Sequence, residues 1–147
     1  MIRYTLAGLF SLVLLCFALN PVSANDEFSA SPEQIAQAKE DLGRSLGATL
    51  GEKLANHLVG RGLAEQDAER IATRTVETYA VCIVDVLVDQ AEKQGQPIVP
   101  ILDSMKDLAV SPELQEIGDR WDKDATRQAL LPCAASIASA AGVQVRE

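Results

Sequence analysis

Cys82 and Cys133 carry the only cysteine chemistry outside the N-terminal apolar run, which holds the third cysteine, Cys16. A redox pair would sit close in sequence, as in C-x-x-C, and exposed. These two are far apart, and in an exported chain such a pair is a structural disulfide. Closing a loop of about 51 residues would stabilise the fold by roughly 4 kcal/mol in the chain-entropy model. The whole stability of a small domain is only about 5–15 kcal/mol. Carboxylates gather in two places. Asp119, Asp122 and Asp124 can be aligned with a calcium loop that begins at Asp122 and takes Asp124 and Thr126 as further ligands. The loop fails where it needs glycine and has Arg127, and where it needs glutamate and has Cys133. A helix-start cluster, favoured by the helix dipole, is the expectation there. Asp85, Asp89 and Glu92 share a helix face with Arg74 and Thr78, which describes a water-facing stripe, not a buried acid–base pair. His57 is the single histidine, with no nucleophile motif or metal-ligand spacing around it. Glycine-rich phosphate loops are absent as well. The sequence therefore leads one to expect no catalytic residue, no metal and no cofactor.

Gly43, Gly47 and Gly51, continued by Ala55, form a row at intervals of four inside a helical pattern. Each helical glycine costs about 1 kcal/mol against alanine, so the three together cost roughly 3 kcal/mol. Beside them runs a leucine row, Leu42, Leu46, Leu50, Leu54 and Leu58. A ridge next to a smooth groove lets another helix approach closely. The expectation is a packing seam inside the domain, with a self-association face that would make a homodimer as the alternative. Charges such as Lys39, Asp41, Arg44 and Lys53 interrupt any membrane-spanning reading of the row.

The elements that must position these residues are helices. Ser31-Pro32-Glu33-Gln34 carries a cap, a first-turn proline and a capping-box glutamine. It opens a helix with Ile35, Ala38 and the leucine row inward, ended by Gly60-Arg61-Gly62. A second helix runs from about Ala64 to Gln94 with Gly95 as its stop, apolar nearly all round from Tyr79 to Val88. Pro97 and Pro100 mark a connector. A short helix to about Leu108 follows, with Ile101, Leu102, Met105 and Leu108 inward. Ser111-Pro112-Glu113 starts a fourth helix through Ile117 and Trp121. The last spans about Asp124 to Ala141, and Pro132 is expected to break or kink it. The fold class is all-α: one bundle of about five helices, two long and three short, held by one disulfide.

The N-terminus is an address. Met1-Ile2-Arg3 gives a basic start, residues 6–19 an apolar run, and Val22-Ser23-Ala24 the small residues a signal peptidase requires. Residues 1–24 are expected to be a signal peptide, and residues 25–147 a single helical domain. Cleavage removes Arg3 and takes the formal net charge from −8 to −9. That balance excludes nucleic acid and anionic membrane surfaces as partners, since both need a basic face. No further apolar stretch approaches the length of a membrane span.

The exported start, the acidic helical body from about Asp26 to Ala141, Ser31-Pro32-Glu33 and the Cys82/Cys133 pair together resemble a family of small secreted proteins of pseudomonads described as quorum-sensing-regulated virulence factors. The resemblance implies a helical secreted protein and brings no catalytic residues. The functional expectation is a periplasmic or secreted, non-enzymatic protein that works by binding a protein partner. A periplasmic acid-stress chaperone and a periplasmic inhibitor or immunity protein are the alternatives.

Overall fold

The computed structural model describes residues 26–140 and Gly142, and the expected signal peptide lies outside these residues. The chain is an all-α bundle. Its elements are α1 (Pro32–Leu46), a π-helical turn (Gly47–Gly51), α2 (Glu52–Gly60), α3 (Glu65–Gln94), α4 (Val99–Asp103), a 3-10 turn (Ser104–Lys106), α5 (Pro112–Arg120) and α6 (Lys123–Ala140).

The helix starts follow local chemistry. The Ser31 hydroxyl accepts the Gln34 N–H at 3.2 Å, and the Gln34 side-chain oxygen accepts the Ser31 N–H at 2.8 Å, completing the capping box. Ser111 caps α5 by its hydroxyl alone, which accepts the Leu114 N–H. At α6 the Asp122 carboxylate accepts the N–H groups of Asp124 and Ala125. At the other end of α3, Gly95 stops the helix at φ 61°, a left-handed conformation that costs a residue with a Cβ.

α3 is the axis of the molecule, about 45 Å long at 1.5 Å per residue, and α1, α2 and α6 all pack on it. Its fully buried positions Ala68, Ala72, Val76, Ala80 and Val84 recur every four residues. Small residues along this row allow neighbouring helices to approach closely. Two core clusters result. One joins Ala38 and Leu42 of α1 to Ala80 and Val84 of α3, and is closed by Ile98, Leu102, Ile117 and Trp121. The other joins Leu54 and Leu58 of α2 to Ala68 and Ala72. Cys82 of α3 and Cys133 of α6 form the disulfide, with Cα atoms 5.6 Å apart and Cys133 wholly buried. The short polar leader is also docked: the Glu27 carbonyl accepts the N–H groups of Ile98 and Val99 at the start of α4.

Four features differ from the sequence expectation. The first helix is not continuous, because a π turn inserts an extra residue at Gly47–Gly51. Leu50 therefore leaves the leucine row and is exposed, while Leu42, Leu54 and Leu58 remain buried. Leu108, expected inward, is exposed and sits at φ 56°, where the short α4 and 3-10 segment has already ended. Val81 is 41% exposed inside the stretch expected to be apolar nearly all round as the most buried helix, because no helix among the described residues covers that side of α3. Pro132 does not break α6, which runs through it as one helix. Proline removes the hydrogen bond to the Gln128 carbonyl and crowds that carbonyl. Both residues are exposed, so the carbonyl is open to solvent, while neighbouring Cys133 anchors the helix to α3.

Candidate functional site

The carboxylates are placed for structure. Asp122 is a helix cap, and Asp119 pairs with Lys123 at 2.9 Å. Asp85 reaches across to Lys39 of α1 at 2.6 Å, tying α3 to α1. Asp89 pairs with Lys93 at 2.7 Å, and the hydrogen bond from that ammonium holds its carboxyl below the ordinary value of 3.8. Glu92 is exposed, as are Asp85 and Asp89. His57 lies in the last turn of α2, facing outward. Among the described residues no three His, Cys, Asp or Glu side chains gather as a metal-binding group, and no helix is long and apolar enough to cross a membrane.

A groove is built around the glycine row. Gly43, Gly47, Gly51 and Ala55 form one side of its volume of about 950 Å³, and α3 forms the other. Among the glycines of the row, only Gly43 behaves as a packing seam: a Cβ there would lie 3.8 Å from the Ala80 Cβ, an ordinary contact. A Cβ at Gly47 or Gly51 would meet nothing within 4 Å. The expected close packing of the row inside the domain thus holds at its ends, Gly43 and Ala55, and not at Gly47 and Gly51 between them. The reason is geometric. α1 is drawn onto α3 at Ala80 and Val84, α2 at Ala68 and Ala72, and the π turn between them buries none of its residues. Such turns concentrate at functional sites. Thr49 assists, its hydroxyl donating to the Ser45 and Leu46 carbonyls at 3.3 Å each.

The opposite wall carries a second row at intervals of four along α3: Glu65, Glu69, Thr73, Glu77 and Val81. Ala72 and Val76, both 1% exposed, form the floor between the rows, and Val59 and Val81 stand exposed at the edges. The rim is acidic. Glu52, Glu65, Glu69 and Glu77 have no salt bridge among the described residues. The two basic residues of the lining are engaged: Lys39 with Asp85, and Arg44 with Glu40 and Asp41 at 2.7 and 3.2 Å. The glycine side of this groove was legible in the sequence. The glutamate row was missed, although its four-residue spacing on α3 was there to be read.

Comparison with protein-family models, with curated proteins and with solved structures returns no match.

Proposed function

We propose that this chain is an exported, non-catalytic binding protein whose groove between the glycine row and α3 receives a segment of another protein. The observation that carries this reading is the open space over Gly47 and Gly51. Two helical glycines weaken the fold by about 2 kcal/mol together, and nothing in the chain lies within 4 Å of where a Cβ would stand at either. A partner that approaches the bare backbone there would offset that cost. Export is supported by the signal-like N-terminus together with the disulfide. The resemblance to quorum-sensing-regulated secreted proteins adds that the protein accumulates at high cell density.

The test compares wild type with Gly47→Leu in pull-downs from envelope and culture-medium fractions, read by mass spectrometry. The Cβ of a leucine there meets nothing within 4 Å and its branch extends into the groove, so the variant should keep its helical circular dichroism, melt no lower than wild type and lose its partner. Partners retained in full by a folded Gly47→Leu variant would refute the groove reading. The two narrower roles divide on acid. A chaperone exposes apolar surface and binds dye near about pH 3, whereas an inhibitor stays folded.

A further inference from the structure

We infer that the occupant of the groove is a cationic amphipathic α-helix, held by its apolar face against the glycine row and by lysine or arginine side chains against the glutamate row. This rests on the groove being the binding face, and adds the chemistry of what binds. Two independent costs meet in this groove. The glycine row gives up helix propensity at Gly47 and Gly51 with no neighbour within 4 Å. Across from it, Glu65 and Glu69 place like charges one helical turn apart, with Glu77 two turns further along the same row and Glu52 on the facing wall. Both costs fall when a helix with a small or aliphatic face and basic flanks lies in the groove. An apolar floor rimmed by acids is complementary to that one pattern. The α3 wall from Glu65 to Val81 is about 24 Å long at 1.5 Å per residue, the length of a helix of about 16 residues. A second copy of the mature chain fits poorly, since it brings a net charge of −9 to an acidic rim. The lysine and arginine that line the groove are already paired to Asp85, Glu40 and Asp41, which leaves the glutamates as its unpaired charges.

The experiment uses the oxidised full-length mature protein and three fluorescent synthetic peptides of about 18 residues. The first is an amphipathic helix of Leu, Ala and Lys. The second replaces each Lys by Glu. The third keeps the composition of the first but scatters its apolar residues around the helix. Anisotropy should show binding of the first peptide, with the scattered one at least about tenfold weaker because it lacks an apolar face. The glutamate peptide should not bind. Raising salt to about 0.5 M should weaken the first complex about tenfold, as screening of exposed pairs requires. Gly47→Leu should abolish binding, and Glu69→Gln/Glu77→Gln should reduce both affinity and salt dependence. Glu113→Gln/Glu116→Gln on α5, outside the groove, should change neither. Equal losses from the groove and α5 pairs, or full binding to Gly47→Leu, would mean diffuse attraction and overturn the proposal. Binding of the glutamate peptide that Gly47→Leu abolishes would overturn the cationic occupant and leave the groove reading standing. A dimer in light scattering that Gly47→Leu dissolves would assign the groove to a second copy instead.

Discussion

Glycines at different places in this chain do opposite things, and substitution should separate them by sign. Gly47 has ordinary helical angles, φ −57° and ψ −43°, and open space where a side chain would point. Gly47→Ala should therefore stabilise the fold by about 1 kcal/mol, through helix propensity and a less flexible unfolded chain. Gly95 holds φ 61° at the end of α3. Gly95→Ala should destabilise by about 1 kcal/mol, because a Cβ strains the left-handed conformation. Urea denaturation of the two variants reads both signs. Asp89 offers a pH test at the same scale. Its carboxyl is held below 3.8, first by the Lys93 hydrogen bond. Its contribution is thus present above the ordinary carboxylate range and lost as pH falls through the lowered folded value. Asp89→Asn should be slightly less stable than wild type at neutral pH, and the two should converge in strong acid. A gap that widens on acidification would contradict the assignment.

At the scale of elements, the π turn is the decisive device. It inserts one residue between α1 and α2, turns Leu50 out of the leucine row, and lets the two halves of the first helix serve different core clusters. The junction of α3 and α6 is held by a polar clamp. The Gln94 side-chain oxygen accepts the Asp122 N–H at 2.7 Å, and its amide donates to Thr126 at 3.2 Å and to Gln90 at 3.1 Å. Gln94→Leu keeps the volume and removes all three bonds, while Asp122 is exposed and Thr126 keeps its bond to the Asp122 carbonyl. A loss of about 0.5–1.5 kcal/mol is expected in equilibrium denaturation. Exchange of the Asp122 amide should accelerate in that variant before the rest of α6 does.

For the whole molecule, α3 and α6 are joined twice, by packing and by the Cys82–Cys133 bond. Replacing both cysteines by alanine should destabilise the domain by roughly 4 kcal/mol, mostly by freeing the unfolded chain. With total stability of about 5–15 kcal/mol, that variant is expected to be marginal. Calorimetry of oxidised, reduced and doubly substituted protein measures it. A doubly substituted protein that melts with wild type would show that packing alone holds α6.

The helical class, the capped starts at Ser31 and Ser111 and the stop at Gly95 were all readable from the sequence, whereas the helix expected to run through Trp121 ends at Arg120 with Trp121 extended. Each readable feature depends on interactions within a turn or two, or on the amphipathic period of one helix. Spacing also showed a glycine row, which permits close approach. Whether a neighbour in the chain takes it up was decided by tertiary structure alone. Whether a bare helix backbone meets a neighbour depends on where two other contacts pull the chain, here Ala80 and Val84 at one end and Ala68 and Ala72 at the other. The exposure of Leu50, Val81 and Leu108 belongs to the same class, because a residue's face is set by neighbours distant in sequence. So does the pairing of the glycine row with Glu65, Glu69 and Glu77. Each row has its own period, but only the antiparallel packing of α1 and α2 on α3 brings the two periods across one groove.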